Sequence, residues 1–515
     1  MTALANHAPV LLIAAPLFAA FAAPLVGKLG ERVRMAFTVA IMGITGCLAG
    51  LLAATLYAQG AAPIVYVLGG QIPLPSGLAV PIRIMLEVDG LSAFMVLLTA
   101  LVGIAAVCYN ISYRRGRSGG AFYDSLTFLL LAGVFGLVQT GDLFNFFVFL
   151  EVTSIAACAL IGFRTWRNRS AEAAFKVMAL YTLSGLFVLL AVGLLYGQHG
   201  GLNIAYLASS VRGAAIDRVA LALLLTGLAM KAGAVPMHMW APEAYGEAPA
   251  SAAMVLVANS QASLYGLFRV LFTLYGMSIG TTAIGWILIV LALATIVVGV
   301  TMALIQKDIK RLIAFGAVSQ IGYMLLAVGV GFAVLATRPA FGLTAITGGI
   351  FHMVNDIACI GLLFLGAGVI VRASGTRDLN AMGGLAHDLR ATTVLFAIGA
   401  FALAGVPPLN GFASKLLIYE STFQLSPVLA VIAVVGSIFL LAVFLRVFQA
   451  AFLGPRLLRG VTPVPVTMTI AMAFLAAVVI GFGLFPGFFI DKIVAPAANA
   501  LWQGQSGYIA AVMGG

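Results

Sequence analysis

The stretch Asp142-Leu-Phe-Asn-Phe-Phe-Val-Phe-Leu-Glu151, followed by apolar residues to about Phe163, puts a carboxylate inside what otherwise reads as a membrane-crossing helix. Nine residues separate the two acids, about 13 Å of helical rise, so with Asp142 at the surface Glu151 falls near mid-bilayer. A charge at that depth costs roughly 3 kcal/mol unless it faces a partner or a wet cavity, which marks Glu151 as a candidate functional residue. The remaining sequence has to supply those partners, and it does.

Of 515 residues, 63% are hydrophobic and only 8% charged, with a mean hydropathy of +1.13. A soluble core cannot dispose of that much apolar surface, so the chain reads as an all-α polytopic membrane protein. The first apolar stretch, from about residue 8, lacks the basic leader of a signal peptide and is expected to be a retained span. Cys47, Cys108, Cys158 and Cys359 all fall in apolar segments without paired spacing, which predicts packing and neither a disulfide framework nor a metal site.

About fourteen apolar spans follow, centred in 8–27, 35–57, 91–112, 122–140, 143–163, 173–196, 217–237, 250–274, 281–304, 311–335, 342–371, 391–417, 427–452 and 467–490. The loops after odd-numbered spans carry seventeen Lys/Arg, in sets such as Arg164/Arg167/Arg169 and Lys307/Lys310/Arg311. The opposite side carries five: Arg83, Arg212, Arg218, Arg338 and Lys492. That asymmetry obeys the positive-inside rule, places both termini outside, and accounts for the net charge of +11 without a nucleic-acid partner. The long outside segment 58–90, with Gln71-Ile-Pro-Leu-Pro-Ser-Gly77 and the alternating Val80–Glu87, is consistent with either a short β-hairpin cap or a plain loop. Beyond residue 490 only a short tail is expected. Arg269 and Arg446, near span ends, are expected to snorkel to a surface.

Three spans carry polar groups that lipid should exclude. Span 7 reads Lys231-Ala-Gly-Ala-Val-Pro236, and the proline should break the helix beside the lysine. Span 12 is interrupted by Gly405-Val-Pro407-Pro408-Leu-Asn-Gly411, which brings Lys415 to mid-depth. Broken helices in a bilayer line protein or water, and two of them, each with a lysine, suggest an internal duplication. Span 11 places His352, Asn355 and Asp356 on one helical face, and His352 has the only unperturbed pKa near neutrality in the set. Ser319-Gln320 and Asn259-Ser260-Gln261 add neutral polar groups. Lys176, four residues after Glu172, is a further candidate partner of Glu151, and Glu247 is close enough to span 8 to join the cavity. Glu243, Asp378 and Asp388 read as solvated loop charges.

Together these pieces resemble the antiporter-like, proton-translocating subunits shared by Mrp sodium/proton antiporters, membrane-bound hydrogenases and respiratory complex I. The resemblance runs from about 85 to 420 and rests on the Glu151 span and on Lys231 to Pro242 with Glu247-Ala-Pro. It rests also on Tyr265-Gly-Leu-Phe-Arg269, Gln306 to Arg311 followed by Ile321-Gly-Tyr, His352-Met-Val-Asn, and Gly405 to Phe412. The wording from Asp142 to Glu151 is most similar to the branch that holds the D-type Mrp proteins and the hydrogenases. The C-terminal extension and lateral helix of the longest members are not expected here, which argues against that subclass.

The resemblance implies two inverted five-helix repeats with helices 7 and 12 discontinuous: residues 121–275 and 276–452. Helices 1–3 with the outside loop would occupy 1–120, and helix 14 with the tail 453–515. It implies Glu151 and Lys231 as the charges of one half-channel and His352 and Lys415 as those of the other, supported by Lys176, Glu247, Gln261, Gln320, Asn355 and Asp356. Gln261 and Ile360 stand where the family often has lysine, Gln320 and Asp356 where it often has histidine, so the central wire reads as poorer in titratable groups than usual.

The expected mechanism is electrostatic: Glu151 paired with Lys231 keeps the lysine charged, and opening the pair releases a proton toward Lys415. Each charge crossing the field is worth about 2.3 kcal/mol per 100 mV, so a driver is needed. No P-loop, cluster-binding cysteine set or zinc motif occurs, so no cofactor is expected in this chain. The driver should be redox chemistry on partner membrane subunits or a counter-ion gradient, moving H⁺ or Na⁺ across the cell membrane. The alternatives are a stand-alone secondary transporter and a scaffold or quinone-site subunit.

Overall fold

The computed structural model describes residues 2–68, 84–116, 118–456 and 462–513. Six apolar segments open the chain as α1 (Thr2–Val26), α2 (Glu31–Ala58), α3 (Gly90–Tyr113), α4 (Gly120–Gln139), α5 (Leu143–Ile161) and α6 (Asn168–His199). A short α7 (Ile204–Ser210) leads to α8 (Ala215–Ala232), a break, α9 (Trp240–Glu247) and α10 (Ala250–Phe268), which continues through a π-helical turn, Arg269–Tyr275. The second half comprises α11 (Thr281–Ile305), α12 (Ile309–Ala333), α13 (Pro339–Ser374), α14 (Arg390–Ala404), a second break, α15 (Asn410–Leu425) and α16 (Pro427–Val447). The chain closes with α17 (Val466–Leu484), α18 (Pro486–Phe489), α19 (Ala495–Trp502) and α20 (Gly504–Met513).

Twelve of these helices, counting α10 with its π turn and α16 with its own extension, are long and apolar enough to cross a membrane. The other two crossings are the broken ones: α8 with α9, whose first piece carries Asp217, Arg218 and Lys231, and α14 with α15. The fold is therefore a polytopic bundle of the antiporter-like kind, with two five-helix repeats and two discontinuous helices. Local chemistry sets the boundaries. Asp89, Asp142 and Asp308 cap α3, α5 and α12 by accepting from two backbone amides each, satisfying donors that a helix start leaves free. α11 and α12 approach closely through Gly299 and Gly322, where an added Cβ would lie 2.6 Å from Ser319 N and Ile296 Cγ1 respectively.

Both breaks are made alike. α8 ends at Ala232-Gly233 and α14 at Ala404-Gly405, and each glycine is left-handed, with φ of +93° and +87°. The prolines follow at 236 and at 407 and 408, where no helical donor is available. α10, α12 and most of α13 are buried along their length and form the centre, with α10 against α13 joining the repeats.

Outside the bilayer, β1 (Ile64–Val67) pairs antiparallel with β2 (Met85–Val88), so segment 58–90 does form a hairpin; its connecting residues 69–83 lie outside the described residues. The tail beyond 490 is more than a short end. It forms α19 and α20, which pack on α3, α7 and the π turn, and the Tyr508 hydroxyl donates to Glu87 on β2. His7 of α1 bonds Tyr66 of β1 at 3.0 Å, so α1, the hairpin and the tail share one face.

A buried polar line joining the two repeats

Lys231 lies in the last turn of α8 and is fully buried. Its ammonium donates to the carbonyl of Leu150 and to Ser154 Oγ at 2.6 Å, and lies 5.0 Å from the centre of the Tyr181 ring. Glu151 sits between those two acceptors in sequence, but no Glu151–Lys231 ion pair within 4.0 Å occurs among the described residues. The direct pair expected from the sequence is thus replaced by a backbone carbonyl and a serine. Glu151 instead turns toward a groove of about 420 Å³ lined also by Ser154, Cys158 and Tyr181, open past the exposed Ile155 and Phe175. Its Oε1 is buried without a partner, fitted against Gly185, where a Cβ would stand 2.2 Å from it.

Lys176 does not reach Glu151. It pairs with Glu172 at 2.7 Å and Glu243 at 3.4 Å on the surface, because its long stem follows the exposed side of α6. Glu243 is accordingly half-buried in a network with Lys176 and Arg311, not a lone solvated charge. Glu247 is buried but points away from mid-depth, to Arg377 at 3.0 Å. Arg446 reaches the carbonyls of Leu304 and Gln306 at the end of α11. Arg269 does not snorkel: it is buried against Asp89, Ser92 and Tyr265. Burial pushes Asp89 up, but the Arg269 guanidinium and the capped amides outweigh it and leave the carboxyl below its ordinary range. Glu87 nearby is raised to about 7 by burial, with the Tyr508 and Asn203 hydrogen bonds opposing.

In the second repeat Lys415 is equally buried, in α15. Its ammonium donates to the carbonyl of Leu403 at 2.7 Å and to Ser437 Oγ at 2.9 Å, over the Tyr323 ring at 4.6 Å. Tyr323 and Tyr419 share Ser437 at 2.8 and 2.6 Å. His352 bonds Ser414 through Nδ1 at 2.9 Å and Gln320 through Nε2 at 3.1 Å, with Ser414 preceding Lys415 in the chain.

Between the two lysines lies a line of polar contacts that neither ammonium joins directly. Ser260 donates to the carbonyl of Ala232, beside Lys231, at 2.5 Å; next to it, Gln261 donates to Asp356 at 2.6 Å across the repeat boundary. Asn355 then donates to the carbonyl of Asn410 at 3.0 Å, one turn before Ser414 and Lys415 on α15. Along this line Asn259, Gln261 Oε1, Asn355 Oδ1, Asp356 Oδ1 and Asn410 Nδ2 are buried without protein partners. Buried polar atoms at such density ordinarily bind water. Ser154, Tyr181, Asn410, Ser414, Ser437 and Tyr419 were not predicted as members; Ser154 and Ser414 could have been found as polar neighbours of Glu151 and Lys415 on their helices.

Fold and site together define the class: an antiporter-like polytopic membrane protein with a buried lysine beside each helix break. The chain belongs to the family described as NADH:quinone oxidoreductase/Mrp antiporter, whose transmembrane model matches residues 140–440. It is 32% identical to NADH-quinone oxidoreductase subunit N of Desulforudis audaxviator, covering 95% of this chain and 98% of that one. It is 30% identical to a Na(+)/H(+) antiporter subunit of Alkalihalophilus pseudofirmus over 80% of this chain, spanning 54% of that longer protein. Among solved structures, the Mrp complex from Dietzia sp. DQ12-45-1b superimposes with a TM-score of 0.86 at 25% identity, covering all of both chains.

Proposed function

We propose that the chain moves protons sideways through the bilayer between Lys231 and Lys415, as one subunit of a multi-subunit membrane complex. The observation that carries this reading is the polar line through Gln261 and Asp356, which lies between the two buried lysines and crosses the repeat boundary. Asp356 supplies the titratable group at the centre. Lys231 and Lys415 are the terminal carriers; Glu151, beside Lys231 and turned to the lateral groove, exchanges with what lies beyond. His352, between Gln320 and Ser414, passes protons to the Lys415 end.

The energy comes from other membrane subunits, as redox chemistry or a counter-ion gradient, because no step in this line is downhill against a field by itself. The basic loops support a cytoplasmic position, at the cell membrane, for the face bearing Arg164, Lys310 and Arg377, and an outer position for both termini. The test is flux through the assembled complex in vesicles, followed with a pH-sensitive dye at fixed sodium. Asp356→Asn is expected to cut proton flux by about tenfold or more, as loss of one relay step does, while assembly is retained. Wild-type flux in Asp356→Asn would end this reading, and flux that tracks sodium at constant pH would reassign the ion.

A further inference from the structure

On the face opposite the hairpin, a pocket of about 320 Å³ opens where the loop after α5, the start of α12 and the end of α13 meet. Five cations line it: Arg164, Arg167, Lys310, Arg372 and Arg377. The carboxylates within 4.0 Å of them, among the described residues, are Glu247, on Arg377 at 3.0 Å and Arg167 at 4.0 Å, and Asp308, on Arg377 at 3.9 Å. Two acids therefore face five bases, where a purely structural ion network would tend to balance. Lys310 is pinned by the carbonyls of Gly246 and Ala248, and Arg164 donates to Tyr113 at 2.7 Å. Arg377 Nε and Nη2 are buried with no partner. Burial first, then the Arg377 and Arg164 charges, pull Arg167 below the ordinary arginine range.

We propose that this pocket binds a phosphate group, carried by an anionic phospholipid headgroup or free in solution. Guanidinium forks match phosphate oxygens in pairs, and a basic pocket between transmembrane helices, with an exposed Trp166 beside it, suits the depth of the headgroups. An anion seated there would tie the first repeat to the second through Arg164 and Arg167 on one side and Arg372 and Arg377 on the other. The purified full chain in detergent is titrated with phosphatidylglycerol, phosphatidylcholine and inorganic phosphate, reading melting temperature and ligand retained in native mass spectrometry.

The variant is Arg167→Gln with Arg372→Gln, both solvent-reaching; the control is Lys28→Gln with Arg32→Gln, exposed on another basic loop. Phosphatidylglycerol is expected to bind and raise the melting temperature in wild type and control, and to bind about fivefold more weakly for each pocket cation removed. If inorganic phosphate alone shows that dependence, the source is the free anion and the site still stands. Phosphatidylglycerol and phosphate binding that are both equal in variant and wild type overturn it.

Discussion

The two half-sites give their lysines cradles of the same composition but deliver them from opposite sides of the break. In the first repeat Lys231 stands two residues before the left-handed Gly233, on the helix that ends there. In the second, that position is Leu403, two residues before Gly405, and its carbonyl receives Lys415 arriving from the helix after the break. Each ammonium has one backbone carbonyl, one serine hydroxyl and one tyrosine face, but only the Lys415 carbonyl, Leu403, lies at a helix C-terminus, where unpaired carbonyls and the dipole favour a cation; that of Lys231, Leu150, lies in the middle of α5. The two cradles share a composition, while the element that supplies the carbonyl differs: α5 for Lys231 and the broken α14 for Lys415.

The largest effect should come from emptying either cradle. Lys231→Ala and Lys415→Ala are each expected to reduce proton flux to background in vesicles, with equal severity in both halves. A retained flux in one alone would show that the halves are not in series. The sharpest test of equivalence is Leu403→Lys in a Lys415→Ala background: flux should return in part, about a tenth of wild type or more given an imperfect placement. No recovery would mean that the direction of approach matters as well as the place.

A smaller effect is expected at Gly185→Ala. The new methyl would meet Glu151 Oε1, forcing the carboxyl toward the groove at a cost of about 1–3 kcal/mol. Flux should fall severalfold, whereas an alanine at Gly193, with open space around it, should change nothing. The mildest effect concerns the outer face. Glu87 is raised from 4.5 to about 7 on folding, so the stability it adds is full below about 4.5 and lost as pH rises through about 7. Amide protection in α19 and α20, measured by hydrogen exchange, should therefore decline across that window, and Glu87→Gln should flatten the decline.

Much of this was legible from local sequence. The lysines, their prolines and the polar face of span 11 announce themselves because burial in lipid leaves so few reasons for such residues. Partner choice was not legible. Arg269 reads as a snorkelling residue until Asp89, 180 positions earlier, is brought against it. The same holds for Gln261 and Asp356, 95 residues apart: each alone reads as a departure from the family pattern, and only their contact shows a carboxylic acid at the centre of the line. Lys176 failed for the opposite reason, since a near neighbour on its own helix, Glu172, outcompeted the distant Glu151. The tail was underestimated because α19 and α20 are short, and their anchoring depends on a strand more than 400 residues upstream.

Ser260 and Gln261 are consecutive, so their side chains leave α10 about 100° apart, one toward Ala232 and the next toward Asp356. A single turn of one helix is thereby the splice between two otherwise separate circuits. Adding one residue anywhere in that turn would swing both contacts off their partners at once, leaving two intact cradles with nothing between them.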